Sequence, residues 1–299
     1  MIVRQGMILS GVGGLYRVDT GEELLLAGVR GILRKDGQIP TVGDRVDCTA
    51  SGDPDRPWLI ERLHERRNRL IRPAVANLDA LLITVSAADP PPDCLLVDKL
   101  LTLCLLNQIE PMIILTKTDL TGKQDDLLAS WRPSGVRLLE TAPGDDNLDL
   151  LNSWIRGRTV SLAGQSGVGK STLLNRLWGG TAMPVGSVSR RIGRGRHTTR
   201  EVIFFPYAGG YLADTPGFST LELEELGISG DLLPIGYPEL QTAAPCRFDD
   251  CRHLGEPGCS VPDCAIHPDR LARYRQLRSR LDDAGASIRQ RVRDGRIES

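Results

Sequence analysis

"LTKTDL", residues 115–120, closes the apolar run "PMIILTKTDL" and stands ahead of "GQSGVGKST", residues 164–172. The second stretch matches G-x-x-x-x-G-K-[ST] from Gly164 to Ser171. Its glycines let successive backbone N–H groups turn toward phosphate oxygens, Lys170 has the length to reach the outer phosphates, and the Ser171 hydroxyl can ligate Mg²⁺. A strand-like run, "RTVSLAG", precedes it and a helix-like run, "STLLNRLWGG", follows, the context in which a helix N-terminus meets phosphate. Gln165, Ser166, Gly167, Val168, Gly169 and Thr172 complete the candidate loop.

A phosphate loop does not choose a base. Guanine presents N1–H and its exocyclic amine side by side, and one carboxylate can accept from both. Asp119 suits that task, with the Lys117 stem over the base and Thr118 between them. Adenine would leave the carboxylate desolvated and unpaired, and sites built on such a bond discriminate by ~10⁴-fold or more. Thr116 stands where Asn is usual and supports the loop without reading the base edge. "LLETAPG" supplies Thr141 and Ala142 as a small-residue turn against the base. "DTPG", residues 214–217, follows the strand-like "GGYLA"; Asp214 can hold Mg²⁺ through water and the Gly217 N–H can meet the γ-phosphate. Between loop and "DTPG" lies "RRIGRGRHTTR", where Thr198 or Thr199 could complete the Mg²⁺ shell.

The chain order is therefore base motif, base-side turn, phosphate loop, switch, "DTPG". A sheet can be cut and rejoined where its ends approach each other, and this order is that of a circularly permuted GTP-binding domain. The surrounding residues 71–222 alternate apolar strand-like runs with helix-like segments, which predicts a mainly parallel sheet with helices on both faces. Residues 1–70 carry short apolar runs ("GMILSG", "LYRVD", "ELLLAGV", "RVDCTA", "WLIERL") between turn residues, as in a small barrel or sandwich.

Residues 223–299 form a third region. "CRFDDCRHLGEPGC" offers Cys246, Cys251, His253 and Cys259. Three thiolates and one imidazole suit a closed, structural tetrahedral Zn²⁺ site. Cys264 and His267 read as non-ligands, and Cys48, Cys94 and Cys104 as small core residues. In "PDRLARYRQLRSRL", Leu271, Tyr274, Leu277 and Leu281 form one apolar stripe at helical spacing, with Arg on the other faces.

The 299 residues are 40% apolar and 25% charged with a formal net charge of −1, ordinary for a soluble protein. Whole-chain charge gives no argument for a nucleic-acid partner, so such a partner needs a local patch. "MIVRQGMILSG" lacks the apolar core of a leader and no run reaches the ~18 apolar residues of a membrane span, so a cytoplasmic protein is expected.

"PTVGDRV", "RPAVANLDALLITVSA", the permuted motifs and "CRFDDCRHLGEPGCSV" together resemble the ribosome small-subunit-dependent GTPase A family (RsgA, also called YjeQ) along the whole length. The resemblance implies a multidomain chain: an oligonucleotide-binding (OB-like) barrel, a central α/β P-loop GTPase domain with permuted motif order, and a C-terminal zinc-binding and helical domain. It implies hydrolysis of GTP to GDP and phosphate with Mg²⁺, stimulated by the small ribosomal subunit late in its assembly, one structural Zn²⁺, and a monomer. Its rRNA contacts would be the barrel and the Arg-rich tail. Phe218 stands where many GTPases carry a water-orienting Gln, and the family's switch-loop His corresponds to His197. The other readings are a nucleotide-gated RNA-binding scaffold with little dependence on turnover and an ATP-dependent phosphotransferase on a small molecule, the latter opposed by Asp119.

Overall fold

The computed structural model describes residues 2–31, 33, 38–120, 124–142, 144, 147–179, 202–214 and 218–293. Five strands, β1 (Val3–Val12), β2 (Leu15–Asp19), β3 (Leu24–Val29), β4 (Arg45–Asp53) and β5 (Arg56–Leu63), close into a barrel of order β1-β2-β3-β5-β4. β3 and β5 run parallel and the other neighbours antiparallel. That order, with its parallel closing pair, is the OB-type barrel. Alternate side chains turn inward, so Ile8, Val18, Leu25, Ala27, Val46, Cys48 and Ile60 fill the interior. Burial raises the Cys48 thiol to about 12, as fits an inert core residue.

After a short pair, β6 (Arg69–Leu70) and β7 (Val75–Ala76), come β8 (Ala80–Ser86), β9 (Glu110–Thr116), β10 (Arg137–Glu140), β11 (Thr159–Ala163), β12 (Ile203–Tyr207) and β13 (Gly210–Asp214). They form a six-stranded sheet of order β10-β9-β8-β11-β13-β12. β9/β10 and β11/β13 are parallel, whereas β12 pairs antiparallel with β13 at one edge. Every residue of β8 and of β11 is buried, which is why these strands carry apolar and small uncharged side chains on both faces. Among the described residues the longer helices are α1 (Cys94–Leu106), α2 (Gln124–Ala129), α3 (Asn147–Ile155), α4 (Lys170–Leu177) and α5 (Pro268–Arg293).

The chain forms two compact units. One comprises residues 1–82, 146–163 and 170–218, the other 83–145, 164–169 and 219–299. In the second unit α1 is covered all round: Leu96 to Cys104 are buried without interruption. The segment Gly230–Gly236 lies against it, and a Cβ on Gly236 would stand 2.0 Å from Thr102 Oγ1, so only glycine permits that approach.

Burial of α1 takes Asp98 and Lys99 out of water, and both are paired. Asp98 accepts from Trp131 Nε1 at 2.7 Å, Arg270 Nη1 at 2.5 Å and Arg273 Nε at 2.6 Å. Arg270 also pairs with Glu239 and lies over the Tyr237 ring. Two carboxylates thus face two guanidiniums, a neutral buried network. Lys99 Nζ donates to Leu221 O and to Glu222.

The α5 stripe of Leu271, Tyr274, Leu277 and Leu281 is buried as its spacing predicts. Of its arginines, Arg270, Arg273, Arg275, Arg278 and Arg280 bond to groups of their own unit. No described helix is long and apolar enough to cross a membrane.

Candidate functional site

The base motif and the phosphate loop, some fifty residues apart in sequence, are bound to each other within the second unit. β9 ends at Thr116, which is buried, and its hydroxyl faces two backbone carbonyls: Val168 O at 2.5 Å and Val85 O at 3.1 Å. Lys117 has a left-handed backbone, φ 59°, uncommon for a residue with a side chain. Its ammonium donates to Gly167 O at 2.9 Å and to Asp89 O. A second clamp holds the start of the loop, where Gln165 Oε1 accepts from the Asp93 N–H at 2.9 Å. Asp93 is itself the N-cap of α1 through Leu96 N.

The loop's entry needs glycine for a physical reason. Gly164 has φ 136°, and a Cβ there would lie 2.2 Å from Thr84 O. Ser166 and Gly167 are exposed at the apex while Val168 is buried beneath it, and the chain then enters α4 at Lys170. Ser171 and Thr172 are exposed in the first turn of that helix.

The candidate base-side turn is bonded to the base motif. Thr118 Oγ1 donates to Thr141 O at 3.3 Å, and Thr141 N donates to Leu115 O at 2.7 Å, so "TKTD" and "TAPG" are held side by side. Ala142 follows directly, and Asp119 is exposed in a 3-10 turn, Thr118–Leu120. In the first unit Asp214 ends β13, paired in register with Leu162 of β11. The Asp214 side chain, together with Gly217 and the switch residues His197, Thr198 and Thr199, lies outside the described residues. Phe218 is buried, and its ring has no polar group with which to orient water.

Cys246, Cys251, His253 and Cys259 converge, their ligand atoms all within 4.8 Å of one another. His253 Nδ1 stands 3.6 Å from both Cys246 Sγ and Cys259 Sγ. A tetrahedral Zn²⁺ with ordinary Zn–S and Zn–N lengths requires a sulfur–nitrogen edge of about 3.6 Å, so the donor set fits that metal. Burial lowers the His253 pKa, favouring the neutral imidazole that a ligand must be. His253 adopts φ 63°, which lets its ring turn back toward the cysteines. Outer groups brace the site. Cys246 Sγ meets Ser260 Oγ, Cys251 Sγ meets Glu256, and Glu256 accepts from Arg252, Leu254 and Gly255 N–H groups. Cys264 is outside the cluster, and His267 Nδ1 accepts from Asp269 N at the start of α5.

The family model described as RsgA GTPase matches residues 63–224, and that of the RsgA N-terminal domain matches residues 5–55. The chain belongs to the RsgA GTPase family. Similar over most of its length is a Geobacillus thermodenitrificans protein named small ribosomal subunit biogenesis GTPase RsgA, 38% identical over 91% of this chain and 93% of that one. A Carboxydothermus hydrogenoformans protein of the same name is 39% identical over 90% and 95%. Among solved structures, YjeQ from Thermotoga maritima matches with a TM-score of 0.76 at 29% identity, covering 94% of this chain and 99% of that one. YloQ, described as a circularly permuted GTPase, matches at 0.74 and 30%, covering 94% and 96%. The permuted motif order thus reflects the family's architecture.

Residue-type reasoning missed the Gln165–Asp93 clamp. Nothing in "GQSGVGKST" distinguishes a Gln side chain turned toward a distant helix cap from one facing solvent. The signal was the Asp93 N-cap, legible only as a helix start.

Proposed function

We propose that this chain hydrolyses GTP to GDP and phosphate and acts in biogenesis of the small ribosomal subunit, which stimulates it late in assembly. The observation that carries the reading is the double tether of the base motif to the phosphate loop, through Thr116 and Lys117. It joins a guanine-selective carboxylate to a phosphate cradle in one body, and the names of the relatives supply the ribosomal context.

In this reading Asp119 accepts from guanine, with Lys117 and the turn at Thr141 and Ala142 flanking the base and Thr116 and Thr118 supporting the loop. Gly164 to Gly169 and Lys170 hold the phosphates, joined by Thr172. Ser171 ligates Mg²⁺, with Asp214 acting through water, one of Thr198 and Thr199 from the switch, and the Gly217 N–H at the γ-phosphate. His197 orients the attacking water, since Phe218 cannot. Cys246, Cys251, His253 and Cys259 hold one structural Zn²⁺, which supplies cross-links that a small region with little core of its own lacks. We divide the chain into a barrel (1–70), a GTPase domain (71–222) and a zinc-binding helical domain (223–299). It works as a cytoplasmic monomer that contacts rRNA.

Competition between GTP and ATP tests the core of this reading. GTP should displace a bound guanine nucleotide at concentrations at least 10²-fold below those of ATP, and Asp119→Ala should abolish that preference. Equal competition by ATP would overturn it. Phe218 supplies no polar group to orient water, which favours slow unassisted turnover and a second reading, a nucleotide-gated RNA-binding scaffold with little dependence on turnover. Equal affinity for small subunits in the GTP-analogue and GDP states would refute gating and therefore that scaffold.

A further inference from the structure

The barrel and the strand that ends in Asp214 belong to the same unit, and a hydrogen bond joins them. Tyr211, on β13, donates its hydroxyl to Asp19 Oδ2 at 3.2 Å; Asp19 ends β2. The other oxygen of that carboxylate accepts from Gly21 N at 2.8 Å and so sets the β2–β3 turn. That turn is completed by Thr20, whose hydroxyl accepts from Glu23 N at 3.1 Å. Gly21, Glu22 and Glu23 are exposed at its tip. One carboxylate therefore has a strand on one side and a surface turn on the other.

The surroundings make this bond directional. Tyr211 is three residues before Asp214, about 10 Å along a strand. Its backbone N donates to Arg158 O, and a Cβ on the preceding Gly210 would stand 2.2 Å from that same carbonyl, so the start of β13 cannot slip past Arg158 and shifts only together with it. β12, the antiparallel partner of β13, packs on β1 of the barrel. Around the bond is an open cleft of about 280 Å³ whose wall includes Gln5, Thr20, Arg45, His64 and Tyr211. Burial, with the nearby Asp19 charge, raises the Tyr211 phenol to about 12, so it remains a donor at physiological pH.

We propose that Tyr211 is a positioning residue which ties the strand leading to Asp214 to the β2–β3 turn of the barrel, so that the turn responds to the nucleotide state. In sequence, the β12–β13 hairpin lies between the two segments that the proposed function assigns to γ-phosphate sensing. A shift of β13 would pull one oxygen of Asp19 while the other holds Gly21. By reciprocity, a partner that fixes the turn biases the strand. The inference rests on the proposed function for its ribosomal consequence, but not for the contact.

The test separates the two. Hydrogen exchange of the 19–24 segment is followed in the whole protein with GDP and with a slowly hydrolysed GTP analogue. The wild type should show exchange rates at least threefold different between the two states. In Tyr211→Phe, which keeps the ring, the difference should vanish with the thermal midpoint unchanged. Asp19→Ser, which can still accept from Gly21 N but cannot reach Tyr211, should behave likewise. A nucleotide-dependent difference that survives in both variants, or none in the wild type, overturns the proposal. In parallel, small-subunit stimulation should fall at least fivefold in both variants with basal turnover retained; undiminished stimulation would also overturn it. Absence of stimulation in the wild type would instead refute the ribosomal assignment, leaving the exchange result to decide this contact.

Discussion

Replacing Thr116 by Val removes one hydroxyl and changes the shape of the site hardly at all. In the wild type that hydroxyl has a single proton and faces two carbonyls, with Val168 O the nearer at 2.5 Å. Thr116 is only 6% exposed, so water cannot readily take its place. Leaving a buried carbonyl unsatisfied costs ~1–3 kcal/mol. If that cost lets Val168 leave its position in the free protein, nucleotide binding must restore it, weakening affinity by ~5- to 150-fold. The assay is a fluorescence titration with a labelled GDP for wild type, Thr116→Val and Thr116→Ser. Ser keeps the hydroxyl and should remain within ~3-fold of wild type on the same arithmetic. Preference for guanine should persist in both variants because Asp119 is untouched. A Val variant that binds GDP as the wild type does would refute the reasoning, since the clamp would then carry no energy.

Three further outcomes follow from the second unit. Asp98→Ala leaves Arg270, fully buried, with one carboxylate instead of two; loss of ~3–5 kcal/mol should lower the thermal midpoint by roughly 10 °C, read by calorimetry. Metal analysis should find one zinc per chain, and its removal by chelation, or Cys259→Ser, should open residues 244–264 to proteolysis while β8 and β9 stay protected from exchange. Burial by itself raises the Glu222 pKa, but its ion pairs with Lys99 and Arg280 outweigh that and hold it below the ordinary glutamate value. A depressed folded-state pKa gives stability that is present above the unfolded value of about 4.3 and is lost as pH falls through the folded one. Glu222→Gln should therefore be less stable than wild type at pH 7, with the gap closing below pH ~4; a pH-independent gap in urea midpoints would contradict the pairing.

What the sequence made legible is what chemistry imposes locally. A phosphate cradle needs glycines at fixed offsets, and a guanine-reading carboxylate needs a short loop after a strand, so "GQSGVGKST" and "TKTD" could be read despite their reversed order. The cysteine spacing announced its cluster for the same reason. Contacts set by the fold were not legible. Asp98 and Arg270 are 172 residues apart, and the spacing in "PDRLARYRQLRSRL" shows an apolar stripe flanked by Arg without showing which carboxylate each Arg meets. Tyr211 and Asp19 are 192 apart, and each alone reads as an ordinary strand-end residue. Periodicity finds which face is apolar; it does not find which buried charge another charge will meet.

A guanine-specific hydrolase switched on by the small ribosomal subunit is tested most directly by one rate measurement. GTP turnover is followed with and without purified small subunits, with ATP as control and His197→Ala beside the wild type. The account predicts slow turnover alone, stimulation of at least 10²-fold for GTP only, on the scale of partner-activated GTPases, and collapse of that stimulation in the variant. Equal use of ATP, or a GTP rate that small subunits leave unchanged, would contradict it.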